Sequence, residues 1–238
     1  MPSLGGKTAV VTGASRGIGA GIAEALGSQG VRVALVARNE AKLKERAARI
    51  KGSIPVTCDV SDPKSVEQAT RRIAGEMNGA PDILVNNAGV FSVAVVEETT
   101  GETFIDTINT NLVGPFLFVH AFLGDMKKRK GGHIVTIGSI SDRTIYTGNA
   151  AYSAAKFGLR AVHEVLRAEL RGTGVRASLI SPAATDTEMW DSVTVTDPVA
   201  NPHSKRPMLD PDDVVRAVMF AITQPERVNV DELRLSRS

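Results

Sequence analysis

Residues 7–19 read KTAVVTGASRGIG. An apolar, β-branched run at 7–12 breaks into a turn carrying Gly13, Gly17 and Gly19. The chain then resumes with Ile18, Ile22, Ala25 and Leu26 at helical spacing. Strand, glycine-rich turn and amphipathic helix in that order open a βαβ unit. The same alternation continues along the chain. Further strand candidates are 31–37 (VRVALVA), 54–58 (IPVTC), 82–86 (DILVN), 133–138 (HIVTIG), 175–180 (VRASLI) and 228–235 (VNVDELRL). Helical patterns fall between them, as in Val66, Ala69, Ile73 and Met77. Strands that are apolar along their whole length must be covered on both faces, which calls for a parallel sheet with helices on either side. The expected fold is α/β, a doubly wound, Rossmann-type parallel sheet of about seven strands. No repeat, low-complexity block or composition break divides residues 1–238, so one domain is expected.

Glycines at a strand-to-helix turn let the main chain approach a pyrophosphate, whose charge then lies on the helix N-terminus. The end of the second strand bears on which dinucleotide this would be. An acid there would accept from a free ribose hydroxyl and favour NAD. Here the strand ends Val36-Ala37-Arg38-Asn39, with no acid before Glu40. Arg38 offers a forked donor to a ribose phosphate, and Arg16 in the glycine turn can reach the same charge. The pair points to NADP(H).

The bulk properties exclude several other classes. A net charge of +2 is too small to argue for nucleic acid or an anionic membrane as a partner. The densest basic run, Lys127–Lys130, precedes two glycines and reads as a charged helix C-terminus. The single cysteine, Cys58, lies in an apolar stretch and reads as a buried thiol, and the four histidines show no ligand spacing, so no metal is expected. No apolar run reaches the ~18 residues of a membrane span. The N-terminus lacks the pattern of a signal peptide, so a cytoplasmic protein is the expectation.

Residues 150–158 read AAYSAAKFG. Tyr152 and Lys156 are four apart, on one face of a helix and one turn from each other. A free phenol has a pKa of ~10, so about one in a thousand is ionised at neutral pH. A nearby ammonium could supply a few kcal/mol, worth up to ~2–3 pKa units before desolvation takes some back. The phenol would then serve as a general acid or base. An ordinary amphipathic helix, with the tyrosine in the core and the lysine in water, would show the same two residues.

The company this pair keeps decides between those readings. The spacing G-x-x-x-G-x-G in TGASRGIG resembles the cofactor turn of the short-chain dehydrogenase/reductase family, in its compact single-domain form. Further motifs follow in the family's order: Asp59-Val60 after the third strand, Asn86-Asn87-Ala88-Gly89 after the fourth, then Asn111, Ser139, Tyr152 and Lys156. The resemblance implies a cofactor site of Gly13, Ser15, Arg16, Gly17, Ile18, Gly19, Arg38, Asp59, Val60, Asn87, Ala88 and Gly89, joined by Tyr152, Lys156, Pro182 and Thr187. It implies Tyr152 as the proton donor, with Lys156 beside it. Ser139, thirteen residues before Tyr152, would polarise the substrate carbonyl, and Ser141 is its local competitor. Asn111 would hold a water that relays protons from Lys156. The family's Pro-Gly-x-x-x-Thr appears as Pro182-Ala183-Ala184-Thr185-Asp186-Thr187, and Ala183 would shift the loop if its φ had to be positive.

The implied activity is hydride transfer between NADP(H) and a carbonyl/alcohol substrate, a small ketone, aldehyde or 3-oxo/3-hydroxy acid derivative. Reduction of 3-oxoacyl thioesters and non-catalytic NADP sensing are the alternatives. Residues 187–211, with Trp190 and four prolines, read as a substrate lid leaving the carboxyl edge of the sheet. Lys205 and Arg206 in it read as solvated, though an anionic substrate tail could reach them. Helix pairing within the family implies a homodimer or homotetramer. Its candidate faces are the segment holding Phe116, Phe118, His120 and Phe122 and the one following Tyr152.

Overall fold

The computed structural model describes residues 3–192 and 208–238. Among these, seven strands form one parallel sheet: β1 (Thr8–Thr12), β2 (Arg32–Ala37), β3 (Ile54–Thr57), β4 (Ile83–Asn86), β5 (Gly132–Ile137), β6 (Val175–Pro182) and β7 (Glu232–Leu235). Their spatial order is β3-β2-β1-β4-β5-β6-β7. The helices are α1 (Gly17–Ser28), α2 (Glu40–Ala47), α3 (Pro63–Met77), α4 (Gly101–Ile108), α5 (Gly114–Lys128), α6 (Ala150–Glu169) and α7 (Pro211–Ile222).

Side-chain alternation along the strands builds two cores. In β1, Ala9 and Val11 pack with Ile22 and Leu26 of α1 and with Val214 and Val218 of α7. Val10, between them, points the other way, into a cluster with Ile73 of α3 and Phe118 and Phe122 of α5. Leu35 and Val36, Val85 and Leu84, and Val135 and Ile134 divide in the same manner. Both faces of the sheet are therefore dry, as its apolar strands require. Local signals start the helices: Asp62 caps α3 ahead of Pro63, and Asp210 and Asp213 close a capping box on α7. The order of connections reverses between β1 and β4, which opens a crevice at their carboxyl ends.

Two sequence expectations need correction here. The last strand begins at Glu232, not at residue 228. Val228 closes a turn on Pro225, Asn229 donates its side-chain amide to the Ala177 carbonyl, and the Asp231 carbonyl accepts from the Leu179 N–H at 3.0 Å, so main-chain contact with β6 starts only at residue 231. The Phe118 and Phe122 side chains belong to the core, whereas Phe116 and His120 are exposed and stack on each other at 6.0 Å. Of the segment read as a lid, 193–207 lies outside the described residues, and Lys205 and Arg206 with it. Leu209, within the segment, forms a bridge with Thr185, two residues before the segment begins. Cys58 is buried, and burial raises its thiol pKa.

His133 on β5 is 2% exposed, its Nε2 2.8 Å from the Ser178 hydroxyl. Burial, with Arg176 and Lys7 adding to it, holds its pKa down to about 3. A depressed folded-state pKa contributes stability above the unfolded value of 6.5 that is lost as pH falls toward 3. Between pH ~7 and ~5 this one group should withdraw about 2 kcal/mol. Urea midpoints should fall over that interval, and His133→Asn should flatten the fall. An equal slope in the variant would assign the acid sensitivity elsewhere.

Candidate active site

The crevice at the carboxyl ends of β1 to β4 has a volume of 270 Å³. Its floor is the glycine turn, where Gly13 (φ +68) and Gly17 (φ +53) occupy the left-handed region. A Cβ on Gly19 would collide with the Gly13 carbonyl, and one on Gly13 would stand 2.9 Å from Ala88 Cα. Thr12 fastens this turn to the end of β4. Its hydroxyl accepts from the N–H groups of Asn87 and Ala88, both at 3.0 Å, and Asn87 Nδ2 donates to the Thr12 carbonyl at 3.0 Å. No side chain caps α1 at Arg16, so its first-turn amides are left to an anion. The residues present fit a dinucleotide pyrophosphate.

Ser15, Arg16 and Ile18 line the crevice from the turn, Arg38 from the end of β2, and Asp59 and Val60 from beyond β3. Asn87, Ala88 and Gly89 close it from β4. Asp59 accepts from the Ser61 N–H at 2.9 Å and its hydroxyl at 2.7 Å. Burial opposes the charge on Asp59, but these bonds and Arg38 together hold its pKa below the ordinary value. Lys42, one helical turn beyond Arg38, lines the crevice as well. Sequence reasoning missed it, although Asn39 at the start of α2 is a legible cap that fixes the register of that helix.

A second pocket, of 110 Å³, shares Ile18, Asn87, Gly89 and Thr187 with the crevice and holds Ser139, Tyr152, Lys156 and Pro182. Tyr152 and Lys156 both project from α6. Lys156 is 6% exposed, donates to the Ile137 carbonyl at 2.9 Å and lies 5.6 Å from the Tyr152 ring centroid. It is a buried ammonium, not a solvated one. Ser139 follows β5 and caps the short turn Ile140–Asp142, accepting from the Ser141 N–H at 3.1 Å. Ser141 lines the same pocket, but it is the Ser139 hydroxyl that acts on the phenol.

Comparison with known proteins agrees with this geometry. A family model described as short chain dehydrogenase matches residues 7–197. The chain belongs to the short-chain dehydrogenase family. An uncharacterized oxidoreductase of Staphylococcus saprophyticus is 38% identical over 98% of both chains. A glycine betaine reductase of Emericella nidulans is 36% identical over 97% of this chain, which corresponds to 18% of that protein's length. A crystal structure of a metagenomic short-chain oxidoreductase in complex with NADP superposes with a TM-score of 0.84 at 32% identity, covering 100% of both chains.

Three sequence expectations for a short-chain dehydrogenase can be set against this geometry. The first concerns the phenol. Burial raises the Tyr152 pKa to about 12; the Ser139 hydroxyl opposes this and the Asp142 charge adds to it. Burial also lowers Lys156 to about 8, with Asp142 acting in the other direction. Desolvation therefore outweighs the expected ammonium effect, and the Tyr152 phenol stays protonated across the neutral range. The second concerns Asn111, which lies in a π-helical turn (Asn109–Val113) between α4 and α5. Its side chain is fully buried and bonded twice to Val90, accepting from the N–H and donating to the carbonyl, each at 2.8 Å. The two bonds take one of its two amide N–H groups and one carbonyl lone pair, and they tie this turn to the segment after Gly89. The third is Ala183, whose φ is not positive and whose N–H donates to the Leu235 carbonyl at 2.8 Å. The methyl group imposes no backbone strain.

Gly19→Ala tests the floor of the crevice. The added Cβ should force the 13–19 turn away from Asn87 and weaken binding of a nicotinamide dinucleotide at least ~tenfold. Fluorescence titration would read this, with circular dichroism confirming that the sheet persists. Unchanged affinity would move the pyrophosphate off the turn.

Proposed function

We propose that this chain is an NADP(H)-dependent reductase of small, uncharged carbonyl compounds, working reversibly on the corresponding alcohols. The observation that carries the reading is the meeting of Ser139, Tyr152 and buried Lys156 in a pocket that opens onto the dinucleotide crevice. The cofactor is NADP(H): Arg16, Arg38 and Lys42 line the crevice with no acid at the end of β2. When bound, the cofactor supplies the hydride. Ser139 donates a hydrogen bond to the carbonyl oxygen and Tyr152 delivers its proton to the developing alkoxide. Lys156 stabilises the phenolate that remains. Asn111, in the π-helical turn Asn109–Val113, is the residue we assign to a relaying water.

The pocket itself supports an uncharged substrate. Among the described residues that line it, Lys156 is the only charged side chain, and it is committed to Ile137. Among these residues a 3-oxo acid would find no free cation. Phe91 packs edge-on against Tyr152 at 4.8 Å and against Trp190 at 5.1 Å, and Tyr146 lines the same space. This aromatic wall favours a second reading, a carbonyl compound bearing a quaternary ammonium group. The relative named for glycine betaine supports it. Residues 187–211 serve as the lid in either case. Phe104, Ile105, Phe116, Phe157 and Val165 expose apolar surface on α4, α5 and α6, which supports a homodimer or homotetramer through these helices. No helix among the described residues is long and apolar enough to cross a membrane.

NADPH oxidation over a carbonyl panel tests the reading. An aldehyde carrying a trimethylammonium group, set against its neutral tert-butyl isostere, separates the two substrate classes, and 3-oxo acids and 3-oxoacyl thioesters should be poor. Tyr152→Phe should lower turnover by about 10²-fold or more while NADPH binding stays near wild type. NADPH binding with silence across the panel would favour a sensing role. Arg38→Asp should cut the preference for NADPH over NADH by roughly 10- to 100-fold, and an unchanged ratio would remove Arg38 from the phosphate site. Phe116→Glu should shift the assembly toward monomer in light scattering, and an unchanged mass would place the interface on another surface.

A further inference from the structure

The Ile140–Asp142 turn carries a carboxylate that the mechanism above does not use. Asp142 is 0% exposed. Its N–H donates to the Ser139 carbonyl at 3.0 Å, so it closes the turn that Ser139 opens. Oδ2 accepts from the hydroxyl of Ser181, on β6, at 2.7 Å. Oδ1 lies 3.6 Å from Arg143 Nε, without a hydrogen bond. Arg143 in turn grips Glu232 on β7 at 2.6 Å. Gly138 is small where this arrangement needs room, because a Cβ there would come 2.7 Å from Ser181 Oγ and 3.2 Å from Asp142 Oδ2.

A fully buried carboxylate is costly, and a staple for a surface turn could be made from a serine or an asparagine. Here the carboxylate packs against Gly138, the residue that follows the Ile137 carbonyl holding the buried Lys156 ammonium. We propose that Asp142 is a positioning residue that fixes the Ser139 turn and, through its negative charge, keeps the Lys156 ammonium and the Tyr152 phenol protonated in their dry pocket. The charged and titratable groups around it are Arg143 on the same turn, Glu232 on β7, and Tyr152, Lys156 and Glu164 on α6. Arg143 and Glu232 offset each other, and Glu164 acts on Arg143 from the far side. The Asp142 charge is the one that acts on both members of the pair, raising each pKa.

The sign follows directly. Asp142→Asn keeps the shape and an acceptor for Ser181 but removes the charge, so both pKa values fall. The alkaline limb of carbonyl reduction and the acidic limb of alcohol oxidation should both move to lower pH, by roughly half to one unit. NADPH affinity should stay within about threefold. Arg143→Gln leaves the Asp142 charge less compensated and should move the limbs upward, by a smaller step. Ser181→Ala removes the staple and keeps the charge, so it should lower thermal stability without moving the limbs downward.

The inference rests on the acid–ammonium reading of Tyr152 and Lys156, so the deciding measurement is made without turnover. NMR titration of lysine ε-methylene carbons, with the Lys156 signal assigned by its loss in Lys156→Ala, should show an amine titrating at about 8. That midpoint should fall in Asp142→Asn and rise in Arg143→Gln. A Lys156 midpoint unmoved in a folded Asp142→Asn protein would overturn the proposal and leave Asp142 a staple. Should that variant fail to fold, a midpoint in Arg143→Gln that stays or falls would overturn it equally. Loss of carbonyl turnover in the wild-type protein, with the titrations as expected, would count against the proposed substrates and not against Asp142.

Discussion

An ammonium group in an apolar interior costs several kcal/mol unless its surroundings compensate it, and much of the active-site half of this fold is arranged around one. Lys156 reaches from the first turns of α6 to the Ile137 carbonyl at the end of β5. That single bond relates the helix carrying Tyr152 to the strand that delivers Ser139. It places the phenol, the hydroxyl and the ammonium in one pocket although nineteen residues separate Ile137 from Lys156. The small residues around the pair, Ala151, Ser153 and Ala155, are buried and let α6 approach the sheet closely enough for the contact to form. The protonation behaviour of the site follows from the same burial, which raises the phenol and lowers the amine.

What could be read from the sequence was local or periodic. The glycine turn announced itself because strand, turn and helix are adjacent, and the two dry faces of the sheet because Val10 and Val11, or Leu35 and Val36, must point to opposite sides. Asn111 was legible as a position but not as a contact: its partner, Val90, is twenty-one residues away and is met through main-chain atoms. Asp142 bonds across thirty-nine residues to a serine with no pattern of its own. The phenol pKa is not legible in the sequence for a related reason. The sequence shows which charges are near in the chain, whereas desolvation depends on how many other elements close over the group.

Ala183 shows the converse case, a departure from a motif that the structure makes harmless. A glycine is required where φ is positive or where a Cβ has no room, as at Gly13 and Gly19. Residue 183 meets neither condition, because its N–H is already bonded to β7 through the Leu235 carbonyl in an ordinary conformation. The motif letter alone cannot separate a glycine needed for its dihedral angles from one that is merely tolerated.

The two cavities divide the positive charge of the site between them in a way that fits their tasks. Arg16, Arg38 and Lys42 stay exposed, so solvent carries most of the cost of their charges and they can grip a phosphate that is itself highly charged. Among the described residues lining the substrate pocket, Lys156 is the one charged side chain; it is buried, beside the tyrosine ring and bonded to a main-chain carbonyl. A further protein cation close to Lys156, of the kind a carboxylate substrate would need, would lower the Lys156 pKa further, and a quaternary ammonium held at the Phe91–Trp190 wall would act in the same direction, more weakly with its distance. Among the described lining residues no neighbouring protein cation pulls a lysine already down at about 8 further toward neutrality.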